Sequence, residues 1–340
     1  MQAPWRVQIF FVCLLKILVA QEIPSTTSPY SQAIRLHNHG VLSEELGRFA
    51  EAESAFRESL RGWDALPSPP ITEIAATLNG LGDLLRFEGR YIEAEQLLRR
   101  AISYGERAGL SARLHLAFSL DSLGALYCNI REPERATPLL ERGLIREAIV
   151  GSNHALVAAS LDNLAEALIL QRRLAQAEAL YKRSLSILET QNDPFSLAMT
   201  LSKLADLYSR KVRKPTQAEA LYQEALVAWK RAPEHEHPQI GLTLTGLAEV
   251  YLAQHRYAEA EPLLKEALEI QEKALGVNHP QVAKVLLDYS LLLRKLHRQA
   301  DAAQMKTRAQ NIMKTFSPER QNLVTVCCES PKVTEAKTKD

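Results

Sequence analysis

Neither sign of charge predominates in this sequence: 41 Lys and Arg stand against 40 Asp and Glu, a formal net charge of +1 over 340 residues. A chain with no surplus of positive charge has no overall field to draw it to phosphate backbones or acidic membranes, which argues against nucleic acid as a partner. Aromatic residues are scarce, at 6%. Leu and Ala dominate the apolar set instead, and that mix favours helices over strands. The four cysteines are Cys13, Cys128, Cys327 and Cys328; two are adjacent and one lies in the leader, so no disulfide framework can be read. After the leader, no stretch approaches the roughly 18 uninterrupted apolar residues of a membrane-spanning helix. What the chain does have is 46% hydrophobic residues, enough for a substantial core.

The leader differs from the rest. Arg6 precedes a run from Val7 to Ala20 that is apolar except for Gln8 and Lys16, followed by Gln21 and Glu22. Residues 1–20 are expected to form a signal peptide cleaved after Leu18-Val19-Ala20, giving an exported protein with no stable membrane insertion once cleaved. The charge at Lys16 and the bulk of Leu18 depart from that pattern, and the alternative is an amphipathic leader on a cytoplasmic protein. Residues 21–30 then read as a linker and 317–340 as a polar, mostly disordered tail, in which Leu323 to Cys328 is the one sticky segment.

Between these ends the chain repeats itself. Ala52, Ala94, Ala136, Ala177, Ala218, Ala260 and Ala302 recur at intervals of 41 or 42 residues, most of them followed by Glu. Twelve positions earlier, or thirteen in the fifth unit, stands a small residue: Gly40, Gly82, Gly124, Ala165, Ala205, Ala248 or Ser290. Four before that is a leucine every time: Leu36, Leu78, Leu120, Leu161, Leu201, Leu244 and Leu286. This spacing places the leucine, the small residue and their apolar neighbours on one face of a helix. A break follows, at Gly89-Arg90, Arg172-Arg173 or His255-Arg256, and then a second helical run such as Ala94, Leu97, Leu98, Ala101 and Ile102. Each unit is therefore a helical hairpin that cannot cover its own apolar side, so the hairpins must stack. The predicted fold is all-α: a right-handed α-α superhelix, or solenoid, of seven hairpins over residues 31–316.

These columns resemble the tetratricopeptide repeat. The long period is similar to its kinesin-light-chain-like branch, as are Leu161-Asp162-Asn163-Leu164-Ala165, Tyr257-Ala258-Glu259-Ala260-Glu261, Gly151-Ser152-Asn153-His154 and Gly276-Val277-Asn278-His279-Pro280. His39 and Ser43 in the first unit and Lys306 in the last replace apolar residues, which makes both ends expected solvent-facing caps. The fifth unit carries one extra residue within Arg210 to Pro215, expected to lengthen the turn between its helices.

The residues of this chain that could carry chemistry fall at repeat positions. His154, His237 and His279 share one place in three units, 23 residues before the alanine marker, and so belong to the inter-unit turn. His235-Glu236-His237 lacks the further ligands that zinc requires. Gly80, Gly82 and Gly89 sit at repeat positions and form no phosphate loop. No catalytic residue, metal site or cofactor is expected.

The resemblance implies that the first helix of each hairpin lines an inner wall. One residue after the leucine come His37, Asn79, Asp121, Asp162, Ser202, Thr245 and Leu287; two after it, Asn38, Gly80, Ser122, Asn163, Lys203, Gly246 and Asp288; five after it, Val41, Asp83, Ala125, Glu166, Asp206, Glu249 and Leu291. These places hold seven carboxylates and a single Lys, so an acidic groove is expected although the whole chain is balanced. The residues expected to meet a partner are Asn38, Asn79, Asp83, Asp121, Asp162, Asn163, Glu166, Lys203, Asp206 and Glu249. Some members of the family hold a partner's carboxylate with paired Asn and Lys or Arg; with Asn only at Asn38 and Asn163 and Lys only at Lys203, that clamp is not supported here. The expected function is a non-catalytic scaffold that binds a protein or extended peptide of basic or mixed charge on its concave face. The alternative is a regulatory or accessory subunit of a separate enzyme complex.

Overall fold

The computed structural model of the chain describes residues 28–45, 48–232 and 237–314. The expected signal peptide, the linker up to residue 27, the tail with Cys327 and Cys328, and His235 and Glu236 lie outside the described residues. Among those described there are fourteen long helices and no strand. They pair in chain order: α1 (Pro29–Glu45) with α2 (Phe49–Asp64), α3 (Ile71–Phe87) with α4 (Tyr91–Arg107), α5 (Arg113–Asn129) with α6 (Pro133–Gly143), α7 (Ala155–Leu170) with α8 (Leu174–Gln191), α9 (Pro194–Leu207) with α10 (Pro215–Arg231), α11 (Pro238–Ala253) with α12 (Tyr257–Leu275), and α13 (Pro280–Lys295) with α14 (Gln299–Lys314). These are the seven tandem hairpins of an α-α superhelix.

Each hairpin closes because its columns interlock. All seven alanine markers are buried, and so is the leucine column in every hairpin but the first, where Leu36 is half-buried. In the first three hairpins the small residue faces the large residue sixteen positions on, Gly40 against Phe56, Gly82 against Leu98 and Gly124 against Leu140. A Cβ added to Gly82 would lie 2.7 Å from Leu98 Cγ, and one added to Gly124 would lie 2.5 Å from Leu140 Cγ. Contact this close is how two helix backbones pack at short distance.

The break between the two helices of a hairpin uses one device. Gly89, Arg131, Arg172, His255 and His297 adopt a left-handed conformation with φ between 60° and 80°. The next residue then donates its N–H to the carbonyl five positions back, as Arg90 does to Leu85 at 2.9 Å and Arg173 to Leu168 at 2.8 Å. That bond satisfies a carbonyl orphaned at the helix end. The extra residue of the fifth hairpin does not lengthen the loop as expected. It is absorbed in a π-helical turn, Tyr208–Val212, after which Lys214 N–H reaches Tyr208 O at 2.9 Å.

Two recurrent polar features tie hairpins together. The Glu after the alanine marker receives an Arg from the next hairpin: Glu53 from Arg90 at 2.8 Å, Glu219 from Arg256 at 2.8 Å and Glu261 from Arg298 at 2.6 Å. The inter-unit histidines are N-caps. His154, His237 and His279 each accept, through Nδ1, the N–H of the residue two further on, at 3.1 to 3.2 Å, which satisfies a donor left free at a helix start. At the ends, His39 and Lys306 are exposed as caps require, but Ser43 is buried.

Candidate functional site: the wall of first helices

Successive first helices pack directly on one another, α1 on α3, α3 on α5 and so on to α13, whereas successive second helices touch at most sparsely. The side of a stack with the shorter spacing is its inner side, so α1, α3, α5, α7, α9, α11 and α13 form the inner wall.

A seam of side-chain hydrogen bonds runs between neighbouring wall helices. The residue after the leucine in one hairpin meets the residue before the leucine in the next. His37 Nδ1 lies 3.0 Å from Thr77 Oγ1 and Ser202 Oγ 2.9 Å from Thr243 Oγ1; Ser160 donates to Asp121 Oδ2 at 2.6 Å and Thr200 to Asp162 Oδ2 at 2.7 Å. Two of these rungs continue outward, for Trp63 Nε1 donates to Thr77 and Trp229 Nε1 to Thr243. Asp121 and Asp162, expected to meet a partner, are thus seam residues, only 1% and 6% exposed. Burial pushes both carboxyls up, against the opposing pull of Arg146 on Asp121 and of Lys203 on Asp162.

The remaining expected residues lie nearer the surface, in local pairs. Asp83 accepts from Arg86 at 3.0 Å and from Ser122 at 2.6 Å, with Asn79 Nδ2 at 3.5 Å. Lys203 Nζ is 2.7 Å from Glu166 and 3.8 Å from Asp162. Burial alone would lower the Lys203 pKa, but the two carboxylates overcome it and hold the ammonium above its ordinary value. Arg210 reaches Glu249 at 2.7 Å and Asp206 at 3.2 Å, and Tyr222 donates to Asp206 at 2.8 Å. Asn38 is exposed on the first hairpin.

The groove is therefore less acidic than the three columns imply. Arg86, Arg146, Arg210 and Lys284 face the carboxylates from positions outside those columns. The signal for Arg86 and Arg210 was available: both lie eight or nine residues after the leucine, one further turn along the same helix face. Arg210 is aimed at the wall by the π-helical turn. The exception to the pairing is Asp288, whose carboxyl is pushed up to about 7 by burial and then by Glu249, against the pull of Lys284 and Arg210.

In the middle of the wall, α5, α7 and α9 enclose a cavity of about 220 Å³. Asn129, Asn163, Ser196, Met199 and Lys203 line it, with Asp121 and Asp162 in its floor. Among the described residues no group of three or more His, Cys, Asp or Glu could hold a metal ion. No described helix is long and apolar enough to cross a membrane.

Comparison with known proteins agrees with this architecture. The tetratricopeptide repeat family model matches residues 31–106, 73–145, 196–273 and 239–315, and a second tetratricopeptide repeat model matches 157–190. No curated protein sequence matches significantly. Among solved structures, BtubC (BKLC) from P. vanneervenii is 20% identical with a TM-score of 0.52, covering 74% of this chain and 93% of its own. The apo quorum sensor NprR from B. thuringiensis is 16% identical with a TM-score of 0.64, covering 84% and 77%. A Rap protein complexed with Competence and Sporulation Factor is 13% identical with a TM-score of 0.57, covering 93% and 95%. At these identities the likeness is one of fold.

Proposed function

Since the chain belongs to the tetratricopeptide repeat family, in its long-period kinesin-light-chain-like form, we propose that it is a non-catalytic scaffold whose inner wall receives an extended segment of a protein or peptide. The observation that carries this reading is the cavity between α5, α7 and α9, which opens on the wall where Asn163 stands half-buried among paired charges. An amide side chain can donate to and accept from a peptide backbone at once, which suits recognition of an extended strand independent of its side chains. The flanking Lys203 with Glu166 and Arg210 with Glu249 present both signs, so the proposed ligand is of mixed charge with a basic component. A role as accessory subunit of a separate enzyme complex is the second reading and would use the same wall. The family's generally non-catalytic character supports the absence of chemistry in either case.

The test is selection of a random dodecapeptide display library on the full-length protein, followed by affinity measurement on the Asn163→Trp variant. Asn163 is preferable to Asp162 as a probe, because reversing Asp162 would break the bond to Thr200 and set a second cation beside Lys203. The indole would fill the cavity while the seam stays intact. Selected peptides should bind the variant at least tenfold more weakly, with unchanged circular dichroism and Tm. Equal binding to both proteins would place the ligand elsewhere and sink the reading.

A further inference from the structure

Among the described wall carboxylates, six have a partner within bonding distance. Asp83 has Arg86 and Ser122, Asp121 has Arg146 and Ser160, Asp162 has Thr200, Glu166 has Lys203, and Asp206 and Glu249 share Arg210. Asp288 differs. Its Oδ2 is closed to solvent and has no hydrogen-bond partner, and among the described residues no cation comes within ion-pair distance of it. Lys284, one turn earlier on α13, and Arg210 act on it only through their fields, and Arg210 is already committed to Asp206 and Glu249. The cluster of Asp206, Glu249 and Asp288 against Arg210 and Lys284 is therefore one cation short. A buried carboxylate oxygen with no donor is costly, and the group that removes the cost is a hydrogen-bonding cation.

A second feature beside it points the same way. Leu291, three residues on and so on the same face of α13, is 45% exposed on the wall. A charged head next to an open apolar surface suits a side chain with an aliphatic stem and a cationic tip, which is the shape of lysine and arginine.

We propose that Asp288, with Glu249 beside it and Leu291 as platform, is the anchor for one Lys or Arg side chain of the peptide that the wall receives. This rests on the reading of the wall as a peptide site and adds where its basic component is held. The cation enters with its stem across Leu291 and its N–H groups on Asp288. It requires Asp288 ionised, so capture strengthens as pH rises through about 7. The other charged groups facing Asp288 are Lys284, Arg210 and Glu249; Arg210 is held above its ordinary value and stays protonated, while Glu249 is itself raised by burial and adds to the same trend.

The test uses the peptides selected from the dodecapeptide library on the full-length protein. They should share one Lys or Arg position, and replacing it by Ala should weaken binding at least tenfold on the wild type but less than threefold on Asp288→Asn. Wild-type affinity should be several-fold higher at pH 8 than at pH 6, with that ratio near one for Asp288→Asn. Leu291→Ser should weaken the same peptides. If Asn163→Trp impairs binding while Asp288→Asn leaves both the basic-residue effect and the pH ratio unchanged, the anchor is wrong and the wall reading stands. If Asn163→Trp has no effect, or no peptide is selected, the wall reading falls and the anchor with it.

Discussion

The Asp121 carboxylate and the Arg146 guanidinium meet at 2.8 Å with side chains 1% and 0% exposed. The third hairpin is built around this ion pair. Its second helix, α6, stops at Gly143, and a 3₁₀ turn, Leu144–Arg146, then carries the guanidinium inward. There it lies 4.5 Å from the centre of the Phe118 ring and donates to Leu156 O at 3.1 Å. Burial raises Asp121 and lowers Arg146, and the charge of each partner opposes the shift of the other.

Removing one partner strands a buried charge, and Arg146→Met is therefore expected to cost about 3 to 5 kcal/mol. The double variant Asp121→Leu with Arg146→Met should recover most of that loss, because two apolar groups need no counter-charge. Urea unfolding of the two variants measures both values. A single variant as stable as wild type would remove the pair from the account of this junction.

Gly143 is where a side chain cannot be tolerated. A Cβ there would lie 2.2 Å from Asp121 Oδ1, the oxygen that has no hydrogen-bond partner. Gly143→Ala should destabilise by about 1 to 3 kcal/mol although alanine is the better helix former, because overpacking outweighs propensity. The ordinary result for a helical Gly→Ala change, a rise in Tm, would contradict the close approach.

The hydroxyl of Thr243 is the hub of one seam junction, accepting from Trp229 Nε1 at 3.1 Å and meeting Ser202 at 2.9 Å. Thr243→Val keeps the shape and leaves a buried indole N–H without its acceptor, for about 1 to 3 kcal/mol. Denaturation followed by tryptophan fluorescence reads the loss, and Trp229→Phe in the Thr243→Val background should recover part of it. Thr243→Val with an unchanged midpoint would mean that the seam contributes nothing there.

Much of this was legible in the chain itself. The leucine, small-residue and alanine columns predicted seven hairpins because close packing between two helices repeats the same steric demand each time. The seam was harder to see. The residue after the leucine reads as a solvated polar position, since a wall helix packs on its own partner and on the helices before and after it, burying a wider arc than one amphipathic stripe reveals. A trace was present nonetheless: the residue before the leucine is Ser or Thr at Thr77, Ser119, Ser160, Thr200 and Thr243, and four of these five close the seam. The Arg146 turn left no such trace, because it occurs in a single hairpin and periodicity carries no information about it.

The unpartnered carboxyl of Asp288 leaves its mark on stability as well. Its folded value near 7 lies above the ordinary 3.8, by burial first and then by Glu249. Between these values the folded chain binds a proton that the unfolded chain has already released. Stability contributed by this group is thus full at low pH, is lost as pH rises from about 4 to about 7, and is level above that. Asp288→Asn removes the titration, so the variant should match wild type near pH 4 and exceed it by about 1 to 3 kcal/mol at pH 8. Thermal unfolding of both proteins at pH 4.5, 6 and 8 tests this. A variant less stable than wild type at pH 8 would mean that the carboxylate has a donor after all, and the anchor for a ligand's cation would fall with it.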